Sequence, residues 1–119
     1  MFNRKKKILE LLKLRSQKDI SECAREMNSV NKKIDHLDVL KCSLEEKLSY
    51  YSDVNGINSV WHLRSNGIHT QKLSVEIDVL DGQRTFFCNE VERLADDIKK
   101  LDARRRKIES NIQTSLKNI

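Results

Sequence analysis

The chain has 119 residues, of which 38% are hydrophobic, 34% charged and 5% aromatic, with three glycines and no proline. That length suits one domain, and so little turn chemistry excludes a sandwich, barrel or doubly wound sheet. The net charge is +5, and the charge density excludes a large buried core, so any core is expected to be a seam between helices.

The charge is unevenly placed. Residues 1–18 carry seven basic residues against Glu10 alone, and residues 99–119 carry seven against Asp102 and Glu109. Residues 19–98 hold 9 basic and 15 acidic residues. Basic ends around an acidic middle point to an interaction surface rather than to a fold. Cys23, Cys42 and Cys88 are an odd number without paired spacing, which fits a reducing compartment better than a disulfide framework. No apolar run approaches the roughly 18 residues that span a bilayer. Glu10 and Lys13 interrupt the leucine-rich start, so a cleaved signal peptide is not expected.

The first helix is expected over about 4–52. From residue 20, a 3,4 spacing gives Ile20, Cys23, Met27, Val30, Ile34, Leu37, Lys41, Leu44, Leu48 and Tyr51, and only Lys41 is not apolar. That spacing is a heptad seam. Upstream the register meets Ser16, Lys13 and Leu9, and the pattern loosens.

A tip loop is expected over 53–68, where two of the three glycines lie. Asn55-Gly56 suits a helix C-terminus. Ser59 is placed to cap a short turn, Val60 to Arg64, closed by Asn66-Gly67.

The second helix is expected over about 69–118, capped by Thr70. Its seam runs Leu73, Ile77, Leu80, Arg84, Phe87, Val91, Leu94, Ile98, Leu101, Arg105, Ile108, Ile112, Ser115 and Ile119, with Arg84, Arg105 and Ser115 as the polar exceptions. Gly82 inside it costs about 1 kcal/mol relative to Ala and is a candidate kink.

The two seams align antiparallel when paired residue numbers sum to 121. Leu48 then meets Leu73, Ile34 meets Phe87, Val30 meets Val91, Met27 meets Leu94 and Ile20 meets Leu101. Ser16 falls opposite Arg105 as a polar layer, while Lys41 and Arg84 run their stems along the seam towards water. The expected fold is therefore all-α, a single antiparallel two-helix coiled-coil hairpin over 1–119. Val39, Leu40, Phe86, Ala95 and Leu11 lie off the seam, available to widen it or to meet a partner.

Little in the chain suggests chemistry. Among Cys23, Cys42, Cys88, His36, His62 and His69 there is no CxxC pair or tight cluster of the zinc type, and His62 and His69 read as exposed loop histidines near the tip. No nucleophile elbow, phosphate loop or dinucleotide fingerprint appears. A thin hairpin offers Glu45-Glu46 and Asp96-Asp97 no pocket to perturb them. No enzyme activity, catalytic residue, cofactor or metal is expected.

Two surfaces stand out instead. Arg4, Lys5, Lys6, Lys7 and Arg15 gather with Arg104, Arg105, Arg106 and Lys107 at the open end of the hairpin. Clustered Lys and Arg suit phosphates, but no aromatics interleave and no nucleic-acid-binding motif is present. A protein partner with an acidic rim accounts for the same charge, and so does solubility alone. At the closed end Tyr50, Tyr51, Trp61 and Leu63 gather the only Trp and both Tyr, as partner anchors or as a plug for the hairpin.

The basic, leucine-rich opening Arg4-Lys5-Lys6-Lys7-Ile8-Leu9-Glu10-Leu11-Leu12-Lys13-Leu14-Arg15, the length and the charge layout resemble the stalk proteins of bacterial type III secretion, the flagellar FliJ family and the injectisome YscO family. The resemblance covers essentially the whole chain. It implies a cytoplasmic stalk and adaptor at the periphery of a membrane-embedded export apparatus. The basic end would enter the pore of a hexameric secretion ATPase and promote its assembly and activity, and the aromatic tip would face the cytoplasmic part of the export gate. Family members also contact secretion chaperones. On this reading neither nucleic acid nor membrane insertion is expected. The alternative is a small basic coiled-coil nucleic-acid-binding protein, and a third reading is a multimeric holding chaperone of the prefoldin kind.

Overall fold

The computed structural model describes the backbone over residues 2–52 and 60–117 and the side chains over 4–51 and 64–117. All described residues are helical, in α1 (Phe2–Ser52, 51 residues) and α2 (Val60–Lys117, 58 residues). The fold is all-α, an antiparallel two-helix coiled-coil hairpin.

Helix ends contribute little to this arrangement. Neither helix has an acidic residue in its first turn, and α1 has no basic residue in its last. Arg4 and Lys5 even oppose the helix dipole near the start of α1. Long helices with poor ends must be held by their packed stripe.

The chain divides into two compact units. Unit 1 comprises 1–30 and 90–119, and unit 2 comprises 31–89. In unit 1, Leu94 is the best-buried apolar residue at 2% exposure. Around it Ile20, Cys23, Met27, Val30, Val91, Ile98 and Leu101 are half-buried, as the seam predicts. The stripe does not stop at Ile20: Ser16 is buried at 8% exposure, and Lys13 and Leu9 are half-buried. An ion pair from Lys13 Nζ to Glu109 Oε1, 3.2 Å, joins α1 to α2 there. The upstream register is thus polar in part but still packed.

In unit 2, Ile34 and Leu37 are buried, and Leu44, Leu48, Leu73, Ile77, Leu80 and Phe87 are half-buried. Lys33 lies 5.5 Å from the Phe87 ring centroid, a cation–π contact between the helices. Of the off-seam apolar residues, only Ala95 is half-buried; Val39, Leu40, Phe86 and Leu11 remain exposed and do not widen the core.

One boundary differs from expectation. Residues 60–68, assigned from sequence to the tip loop, belong to α2, and Asn66-Gly67 does not stop it. Glycine ends a helix by adopting the left-handed conformation, and no described glycine has positive φ. With no proline to break it, an established helix propagates one hydrogen bond per residue, enough to carry a glycine costing about 1 kcal/mol. Gly82 is likewise carried within continuous α2.

Candidate partner-binding surfaces

The basic surface belongs to unit 1, which carries 16 basic against 10 acidic residues, or +6. Its residues are not equivalent. Asp102 engages two of the arginines: Arg105 donates from Nη2 and Nε to Oδ1 at 2.9 and 3.2 Å, and Arg106 donates from Nε to Oδ2 at 3.1 Å. Arg105 is also half-buried in the seam, so its guanidinium is committed within α2. Arg4, Lys5, Lys7, Arg15, Arg104 and Lys107 are exposed, and no ion pair among the described residues engages them. Lys6 is half-buried. Exposed Leu11, Leu12 and Leu14 accompany these cations on α1, making the surface mixed rather than purely electrostatic.

Other charges of unit 1 are paired along α2. Arg93 bridges Glu90 Oε2 at 2.9 Å and Asp97 Oδ2 at 3.2 Å. The hydrogen bond from Arg93 holds the Glu90 carboxyl below its ordinary range. Cys23 lies in a groove with Asp19, Glu22, Glu26 and Asp97. Burial, then the charges of Asp97, Glu26 and Asp19, push its thiol above the ordinary range, so it is a packing cysteine rather than an activated one.

The tip aromatics fall in unit 2. Tyr50 is 76% exposed. Tyr51 is half-buried, edge-on to Tyr50 with centroids 5.3 Å apart and stacked on His69 at 4.8 Å. His69 is therefore a helical residue tying α2 to α1, not a loop histidine. Trp61 and Leu63 lie within α2, but their side chains, with that of His62, fall outside the described residues.

The strongest interhelical feature of unit 2 centres on the two exceptions in the seam. Arg84 Nε donates to Asp38 Oδ1 at 2.7 Å, and Lys41 Nζ lies 2.8 Å from Asp81 Oδ1. The sequence supplies Asp38-x-x-Lys41 on α1 and Asp81-x-x-Arg84 on α2. Run antiparallel, each acid meets a base, whereas run parallel in the same alignment, like charges would meet. This clasp selects orientation as well as register. The paired residue numbers sum to 122, one from the apolar alignment at 121. Each side-chain pair shifts its cation upward: Asp81 acts on Lys41, and Asp38 on Arg84. Lys41 and Arg84 therefore do not simply run to water: Asp81 and Asp38 hold them, and the repeated acid-x-x-base spacing is the sequence signal of that pairing.

Among the described residues, no group of three or more His, Cys, Asp or Glu side chains is placed to hold a metal, and no helix is long and apolar enough to cross a membrane. Glu45, Glu46 and Asp96 are exposed, while Asp97 is bound to Arg93. Among the described residues of these surfaces, no nucleophile, base and orienting group come together. No family model matches the chain, and no curated protein or solved structure matches it.

Proposed function

We propose that this chain is a non-catalytic stalk and adaptor of a type III secretion export apparatus, working in the cytoplasm beside the membrane-embedded export machinery. The observation that carries the reading is the combination of a two-helix hairpin with a strongly basic unit built from both chain ends. Arg4, Lys5, Lys7, Arg15, Arg104 and Lys107 are exposed there and engaged by no ion pair among the described residues. A hexameric secretion ATPase with acidic loops around its pore is the partner that suits them, and the exposed Leu11, Leu12 and Leu14 add apolar contact. On this reading the tip, where Tyr50 is exposed and Tyr51 half-buried, meets the cytoplasmic part of the export gate. Secretion chaperones are further partners on this reading.

The test is hydrolysis by a hexameric secretion ATPase from the same organism, with and without the purified chain. The chain should raise the rate and co-elute with the ring at low salt, and both effects should fade as salt screens the contact. Reversing Lys5, Arg15, Arg104 and Lys107 to Glu should abolish the stimulation. Arg105 is unsuitable for this test, because a glutamate there would sit against Asp102 inside the seam. No stimulation and no co-elution would defeat the proposal. A shift of duplex or single-stranded nucleic acid near 50 mM salt, falling steeply with added salt, would favour the nucleic-acid-binding alternative instead.

A further inference from the structure

Near its start α1 exposes a cluster of aliphatic side chains that the hairpin does not use. Ile8, Leu11, Leu12 and Leu14 are 53%, 65%, 42% and 62% exposed, while Leu9 packs in the seam. Among the described residues of α1 in unit 1, no other large apolar side chain is exposed. The cluster coincides with the basic run, since residues 4–15 carry Arg4, Lys5, Lys6, Lys7, Lys13 and Arg15 against Glu10 alone. At about 100° per residue, Ile8, Leu11, Leu12 and Leu14 span an arc of about 160° around the helix, and Arg4, Lys7 and Arg15 lie inside it. Lys5 flanks the arc and Glu10 falls outside it. Leu9, Lys13 and Ser16, which pack towards α2, lie on the opposite side.

We propose that this arc of α1 docks on an anionic lipid surface. The helix lies along the bilayer without crossing it, its aliphatic side chains in the boundary between headgroups and acyl chains and its cations against lipid phosphates. Charge complementarity selects an anionic partner. Arg4, Lys5, Lys7 and Arg15 are exposed, no ion pair among the described residues engages them, and no carboxylate of residues 4–15 falls within the arc. The aliphatic side chains then select among anionic partners. A nucleic-acid backbone gives them nothing to bury against. A folded protein would need acids and apolar pockets interleaved in the order this helix presents. A bilayer supplies both everywhere, because anionic headgroups move laterally to each cation and the acyl layer lies directly beneath them. Lysine and arginine stems run along that layer and keep their charges at the headgroups. Adsorption of this kind is reversible and weakened by salt.

Flotation of the full chain, under reducing conditions, with vesicles of phosphatidylglycerol and phosphatidylcholine in equal parts tests this. The chain should float with these vesicles at low salt, release as salt rises, and stay behind with vesicles of phosphatidylcholine alone. Leu11→Ser with Leu14→Ser keeps the net charge and should lower the partition coefficient about tenfold. Arg4→Gln with Lys7→Gln should lower it about tenfold at low salt and less at high salt. All four side chains are exposed, so helicity should be unchanged in both variants. No flotation with the anionic vesicles at low salt, equal flotation with the neutral ones, or binding indifferent to the leucine changes would overturn the proposal. Leucine changes that abolish ATPase stimulation and leave flotation untouched would assign the patch to a protein interface, and the proposal would fall. The flotation contains no ATPase and the hydrolysis assay contains no lipid, so this proposal and the export-apparatus reading fail separately.

Discussion

The two units of the hairpin use the same heptad spacing but spend their charges differently. In unit 2 the principal ion pairs run between helices, Asp38 to Arg84 and Lys41 to Asp81. In unit 1, Lys13 to Glu109 is the interhelical pair among the described residues, while Arg93, Arg105 and Arg106 are satisfied along α2 itself. Pairs between helices specify orientation and cancel charge across the seam. Pairs along one helix leave the other helix's cations unanswered, and α1 of unit 1 keeps Arg4, Lys5, Lys7 and Arg15 exposed. Unit 2 is thus the part whose charges encode the pairing, and unit 1 the part whose charges are available to another molecule.

The contrast can be broken most forcefully in the core. Leu94→Ala in unit 1 removes its best-buried apolar side chain and should lower unfolding free energy by about 2–4 kcal/mol in a urea titration. Leu37→Ala in unit 2, at 8% exposure, should cost less. Gly82→Ala acts in the other direction. Its Cβ enters open space in a helical backbone, so the variant should gain about 1 kcal/mol by the same titration.

A charge swap sharpens the comparison further. Asp38→Arg sets two arginines face to face and should lower the melting temperature, and adding Arg84→Asp should recover most of that loss. The equivalent swap at Lys13 and Glu109 should move melting less, because unit 1 has no second interhelical pair among the described residues to reinforce it. Equal effects at the two sites would erase the distinction between the units.

The smallest effects are those of pH. Lys41 is raised in the folded state by Asp81, so its contribution is complete below the ordinary lysine pKa and is lost as pH rises through the elevated value. Glu90 is lowered by Arg93, so its contribution is present above the ordinary glutamate pKa and is lost as pH falls through the depressed value. Melting curves should therefore show Lys41→Met flattening the alkaline limb and Glu90→Gln flattening the acid limb.

Both seams were legible because a 3,4 repeat is a property of spacing, and an antiparallel alignment follows from matching apolar numbers. The candidate basic and aromatic surfaces were legible as composition, since charge runs and rare aromatics can be counted. The start of α2 at Val60 was not, because Asn66-Gly67 carries the same letters whether the glycine turns or stays helical, and only the backbone angle decides. The state of each cation was not legible either. Arg104, Arg105 and Arg106 are one run in sequence, yet Asp102 one turn away pairs with Arg105 and Arg106, and no ion pair among the described residues engages Arg104.

Sequence by itself determined that this protein is two amphipathic helices with a shared heptad register and basic ends, because periodicity and charge are local properties of the chain. Tertiary structure decided which polar exceptions to the seam find partners across it, turning Lys41 and Arg84 into halves of an orientation-selecting clasp with Asp81 and Asp38. It also decided which apolar residues are left uncovered. Both outcomes depend on distances of a few ångströms between residues more than forty positions apart, and no spacing within one helix encodes those distances.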